Sequence, residues 1–232
     1  MSETVSISTL EGDGSFSAYC ARPAGEPRAA IVVIQEIFGV NAGIRRKCDR
    51  LAEQGYLALA PDLFCRLQEG VELDPDVDSE FTTALELMAR FDQDQGVGDI
   101  EATIRHARNG LGVPKVGVVG YCLGGRLAYM VAARTDADAS VGYDPVGIPE
   151  LLREKHAIAN PLLLHIAGND HFVPPEAQRA MHEGLDDHPR VTLYDYPGLD
   201  HGFATELGRR RDEAGAELAD DRTAAFFAKH LG

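Results

Sequence analysis

Val118-Val119-Gly120-Tyr121-Cys122-Leu123-Gly124-Gly125 is the stretch that decides the fold of this chain. An apolar run, Lys115 to Gly120, leads into Gly-x-Cys-x-Gly, and Gly125 to Ala133 continues at helical spacing. Strand, tight turn and helix in direct succession make the setting of a nucleophile elbow, here with cysteine where serine is usual. The glycines have a physical task. The central residue sits in a strained turn, so its neighbours two positions away must lack side chains if strand and helix are to pack closely. The turn lifts the nucleophile to the end of a sheet and leaves the next N–H groups facing the reaction site. The helix start adds partial positive charge, which favours a thiolate and a developing oxyanion. The same residues also fit a glycine-rich turn around a buried structural cysteine, so the rest of the chain must decide.

Working outward, Ala30-Ile31-Val32-Val33-Ile34 is a continuous β-branched run of the kind buried on both faces of a parallel sheet. Val5 to Ala21 predicts two short strands around Glu11-Gly12-Asp13-Gly14. Further strands are expected at Tyr56 to Ala60, Ser140 to Tyr143, Leu162 to Ala167 and Val191 to Tyr196. Helices are expected at Ala42 to Gln54, Ser79 to Phe91, Asp99 to Arg108, Glu176 to Leu185 and Asp212 to Leu231. This alternation predicts one α/β domain over residues 1–232, a mostly parallel open sheet with helices on both faces. Ligands of such sheets bind beyond the carboxyl ends of the strands.

Composition narrows the function. Lys+Arg is 22 against Asp+Glu 37, a formal net charge of −15, which repels phosphate backbones and anionic membranes. Neither nucleic acid nor membrane is expected as a partner. Met1 to Gly12 has no secretory character and the apolar run Ala29 to Ile34 is too short to span a bilayer, so a cytoplasmic location is expected. Cys20, Cys48, Cys65 and Cys122 form no CxxC pair and the histidines no HxxxH, so neither metal nor cofactor is called for. The acidic stretch Glu69 to Glu80 reads as a solvated loop.

A nucleophile of this type needs a base and an orienting acid, in the chain order nucleophile, acid, histidine. Asp170 follows the strand Leu162 to Ala167, and His201 follows Val191 to Tyr196. Both fall on loops past strand ends. Asp200 is an alternative orienter with an awkward adjacency to His201. His165 and His171 read as structural or surface groups. Gln35-Glu36-Ile37-Phe38-Gly39 follows the first long strand, where folds of this type place the second oxyanion donor. The donors are then the backbone N–H groups of Ile37 and Leu123. Glu36 is a capping group or a carboxylate that controls thiol protonation.

These pieces together resemble the dienelactone hydrolase (carboxymethylenebutenolidase-like) family over nearly the full length. The matching segments are QEIFGVN at Gln35 to Asn41, PDL after Ala60, FDQDQGVGDIEA at Phe91 to Ala102, GYCLGG at Gly120 to Gly125, DHFVP at Asp170 to Pro174 and GLDHGFA at Gly198 to Ala204. The resemblance implies an α/β-hydrolase fold, a Cys122–Asp170–His201 triad, and a contact of Glu36 with the cysteine in the resting enzyme.

The resemblance breaks where substrate is held. Family members use two arginines to grip the substrate carboxylate, and Phe81 and Thr205 stand at those positions. Leu85 replaces a tyrosine, while Tyr143 matches one, although Asp144-Pro145 after it is unusual. Without a bidentate guanidinium clamp, Phe38, Phe81 and Leu85 predict an apolar pocket wall, joined by Phe172 and Phe203. The expectation is a small ester or lactone less anionic than dienelactone. Arg209, Arg210 and Arg211 are the cations close enough in sequence to compensate. No cap domain is expected at this length, which favours small substrates, and the chain is expected to be a monomer or weak homo-oligomer. The alternatives are a non-catalytic binding module with a vestigial triad and a promiscuous esterase or organophosphate hydrolase.

Overall fold

All five residues of Ala30–Ile34 are buried, as a strand flanked on both edges and covered on both faces must be. The computed structural model describes residues 1–12 and 14–232, so Asp13 of the first turn lies outside the described residues. Two units emerge, Met1–Gly117 with Glu206–Arg209, and Val118–Thr205 with Arg210–Gly232.

In the first unit, β1 (Ser2–Ser8) pairs antiparallel with β2 (Ser15–Ala21). β2 pairs antiparallel with β4 (Leu57–Pro61), and β4 runs parallel to β3 (Ala30–Ile34). α1 (Ala42–Glu53) joins β3 to β4. Asn41 caps it, its side-chain oxygen accepting from the Gly43 and Ile44 N–H groups at 3.1 and 3.2 Å. α2 (Asp78–Arg90) and α3 (Gln93–Arg105) follow. The helix predicted from Asp99 thus begins six residues earlier. Asp92 caps it by accepting from the Asp94 and Gln95 N–H groups. At Gly96, inside the added turns, a Cβ would lie 2.4 Å from the tip of the Phe91 ring, which would have to shift. A π-helical turn over His106–Gly110 ends the element. The acidic segment is solvated at its acids, Glu69, Glu72, Asp74 and Asp78 all being exposed, but it is not all loop. Val71 is buried, Glu72 bridges to Gly39, and α2 begins inside the segment at Asp78.

β5 (Val116–Tyr121) starts in the first unit and ends in the second. There α4 (Leu123–Arg134), β6 (Ala139–Tyr143), β7 (Leu162–Ala167), α5 (Pro175–Leu185), β8 (Val191–Tyr196) and α6 (Glu213–Leu231) follow. β6, β7 and β8 are parallel neighbours. A 3-10 segment over Ile148–Ala157, not anticipated from the sequence, follows the left-handed Gly147. Eight strands, with α1 and α3 on β3 and β4, and α4 and α6 on β6 and β7, make the mostly parallel open α/β sheet that the alternation predicts.

A buried polar chain fastens α6 to the strands. Tyr143 OH donates to Asp220 at 3.0 Å and lies 2.6 Å from Thr223 Oγ1. His165 reaches Thr223 through Nε2 at 2.9 Å and Tyr196 OH through Nδ1 at 2.6 Å. The proton count closes in one direction only. Tyr143 gives its proton to Asp220, so Thr223 must donate to Tyr143 and accept from His165 Nε2–H, leaving Nδ1 to accept from Tyr196. Thr223→Val is expected to orphan two buried groups and to cost about 2–3 kcal/mol of unfolding free energy in urea. A loss below the error of the fit would remove the network from the stability account.

Candidate active site

Cys122 ends β5 and caps α4 with φ 56° and ψ −113°, a left-handed backbone that a side chain tolerates only under constraint. The constraints are visible. Its N–H donates to Tyr143 O at 2.9 Å, and its carbonyl accepts the Arg126 N–H at 3.1 Å. A Cβ on Gly120 would lie 2.0 Å from Gly124 O, and one on Gly125 would lie 2.5 Å from Tyr143 O. Both neighbours are glycine because backbone, which cannot move aside, occupies the space. Leu123 opens α4, so its N–H has no acceptor within the helix.

Asp170 follows β7 and is buried. One carboxylate oxygen accepts from the Phe172 and Val173 N–H groups at 2.8 and 3.2 Å. The other lies 2.7 Å from His201 Nδ1, with both side chains almost wholly excluded from solvent. Asp200 does not play this part, since it accepts from the His201 backbone N–H at 2.7 Å and meets His171 Nδ1 at 2.9 Å. With Nδ1 committed to Asp170, the imidazole presents Nε2. That atom is buried without a hydrogen-bond partner among the described residues. Burial alone would push His201 down. Neighbouring Cys122, the Asp170 hydrogen bond and the Asp144 carboxylate outweigh it and hold the imidazole up to about 11. Cys122 itself is only half-buried and is the most accessible of the three.

Other predicted residues distribute differently. Phe172 is 43% exposed and sets its ring edge-on to His201 at 4.9 Å between centroids, with the Arg210 guanidinium 5.6 Å above it. Phe203 turns inward, buried against Tyr196 at 4.8 Å. The Tyr143 ring is buried too, and its hydroxyl belongs to α6; what it lends the elbow is its carbonyl. Thr205 is half-buried, and its carbonyl accepts from Arg211 at 2.8 Å. Arg211 also pairs with Glu213 at 2.7 Å, and Arg209 is engaged by Asp76. Of the three arginines, Arg210 alone stands beside the histidine's aromatic neighbour.

Within the first unit, Glu36 is half-buried directly after β3, and Gln35 steadies that loop by accepting from the Leu63 N–H at 3.1 Å. Ile37 and Phe38 are buried. Phe38 meets Phe81 at 5.8 Å in a tilted ring pair, while Leu85 is exposed. Among the described residues, ligand atoms of Asp170, His171 and Asp200 lie within 4.8 Å of one another. Both Asp170 oxygens are already engaged, one by the Phe172 N–H and one by His201.

A model of the dienelactone hydrolase family matches residues 16–231. A carboxymethylenebutenolidase of Pseudomonas putida is 40% identical over 233 residues, 98% of this chain and 97% of that protein. A protein of Azospirillum brasilense, provisionally named a carboxymethylenebutenolidase, is 46% identical over 221 residues, 95% of this chain and 96% of its own. A crystal structure from Klebsiella pneumoniae, provisionally named a dienelactone hydrolase, superposes with a TM-score of 0.84 at 26% identity, covering 99% of each chain. No helix among the described residues is long and apolar enough to cross a membrane.

Proposed function

The chain belongs to the dienelactone hydrolase family, and from that premise we propose that this hydrolase cleaves a small ester or lactone through Cys122, His201 and Asp170. The observation that carries the reading is the buried imidazole fixed by Asp170 at 2.7 Å through Nδ1, which leaves Nε2 for the nucleophile. Cys122 attacks the carbonyl carbon as a thiolate, and the C=O electrons move onto oxygen. The Leu123 N–H stabilises that oxyanion, joined by the Ile37 N–H. Collapse expels the alkoxide or enolate, which takes the His201 proton, and leaves a thioester. Neutral His201 then takes a proton from water, hydroxide adds to the thioester, and the thiolate leaves as the acid forms. Enolate leaving groups suit the site, since they depart with little acid assistance. The chemistry needs neither metal nor cofactor. Glu36 enters the proposal as the carboxylate that governs thiol protonation, on the strength of its place directly after β3.

Substrate preference is part of the proposal. Phe81 and Thr205 replace a guanidinium pair that would grip a carboxylate, and Phe38 lies against Phe81. Charge-assisted hydrogen bonds to such a group contribute about 1.5–3 kcal/mol each. A neutral lactone and 4-nitrophenyl acetate are therefore expected to show kcat/KM at least about tenfold above that of dienelactone. Steady-state rates on the three compounds, with trapped thioester sought on Cys122 by mass spectrometry, test both halves. Dienelactone turnover faster than the neutral esters would overturn the preference, and turnover with acyl adducts elsewhere would overturn the mechanism.

A further inference from the structure

The dipeptide Tyr143-Asp144, at the end of β6, touches every segment that bears a triad residue. Tyr143 O accepts the Cys122 N–H at 2.9 Å. The Asp144 N–H donates at 2.9 Å to His165 O on β7, the strand that leads to Asp170. Asp144 Oδ2 accepts the N–H of Gly202, the residue after His201, at 2.9 Å. Asp144 does this from a left-handed backbone, φ 46°, and Cys122 is the other non-glycine residue with positive φ among the described residues. Its carboxylate is buried, with 3% of the residue exposed. A buried carboxylate in a strained conformation is doubly unfavourable and persists where its surroundings over-determine it.

We propose that Asp144 is a positioning residue for His201: its carboxylate pins the 201–202 turn so that the imidazole faces Cys122. This rests on the Cys122–His201–Asp170 reading. The roles of the two acids differ. Asp170 touches the ring at Nδ1, whereas Asp144 grips the adjoining backbone and acts on the ring through its field. The charged and titratable groups around the imidazole are Cys122 from the elbow, Asp170 after β7, Asp144 after β6, and Asp200 with its partner His171. Asp144 raises the imidazole along with Cys122 and Asp170.

Asparagine separates charge from geometry, because it accepts the same N–H and tolerates left-handed backbone about as well as aspartate. kcat/KM for 4-nitrophenyl acetate would be measured from pH 6 to 10.5 for wild type, D144N, D144G and C122A. D144N is expected to bring the basic limb down by at least about half a pH unit with KM little changed. D144G, which suits the backbone but lacks the acceptor, is expected to show the same shift and a kcat lower by about tenfold. A D144N basic limb coincident with wild type, together with unchanged kcat in D144G, would overturn the proposal, and so would a loss confined to the melting temperature. Retained turnover in C122A would instead overturn the triad, whatever Asp144 does.

Discussion

Cys122→Ala is expected to lower kcat for ester hydrolysis by at least about 10⁴-fold while leaving the fold intact, as loss of a triad member does elsewhere. The side chain is the half-buried end of a chain of buried groups, so shortening it removes the nucleophile without opening the core. Alanine also fits the turn no worse than cysteine, since both carry a Cβ at φ 56°. Cys122→Ser is the sharper comparison. Its hydroxyl is a far weaker nucleophile than a thiolate at the same point, and its ester intermediate replaces the thioester. A residual rate on the order of 1% in the serine protein, with the alanine protein dead, supports attack by the residue itself. Alanine protein with wild-type kcat would remove Cys122 from the mechanism.

Asp170→Asn is expected to cost kcat about 10³–10⁴-fold, and for a different reason. The amide keeps an oxygen for the Phe172 and Val173 N–H groups, so the loop survives. Its NH₂ then faces His201 Nδ1, turns the imidazole to the wrong tautomer and removes a buried negative charge. The pH dependence of stability follows from the direction of the His201 shift. Held up to about 11 from the ordinary 6.5, His201 contributes stability that is fully present below pH 6.5 and is lost as the pH rises through the folded value. The difference in unfolding free energy between wild type and Asp170→Asn should therefore be largest near pH 6.5 and shrink toward pH 11, which urea titrations at several pH values read directly. A gap that widens with pH would contradict the imidazolium–carboxylate pair.

The strands were legible where their burial is two-sided. Ala30–Ile34 and Leu162–Ala167 form at the bounds their apolar runs predict, because a continuous β-branched or leucine-rich run has no other economical fate. The elbow was legible because its glycines answer a local backbone clash. The start of α3 was not, since Gly96 sits within the helix against Phe91 and does not break it. The same limit applies at the site. Chain order places Asp170 and His201 on loops past strand ends, but no spacing rule states that Phe203, two residues beyond His201, faces the core beside Tyr196. Asp144 was visible only as an odd residue before Pro145. Its meaning depends on Gly202, brought to it by tertiary structure alone.

The four cysteines differ in a way that turns the molecule into its own internal standard. Burial pushes the thiols of Cys20, Cys48 and Cys65 up, Cys48 most of all; Cys20 and Cys48 are buried, whereas Cys65, like Cys122, is half-buried. Cys122 shares its surroundings with an imidazolium and a helix start. A thiol-specific dye applied to native protein at near-neutral pH thus reacts first at Cys122, ahead of the raised thiol of Cys65, and Cys20 and Cys48 become available only on unfolding. The ratio of that first count to the count after unfolding gauges the intact fraction of any preparation without recourse to a substrate.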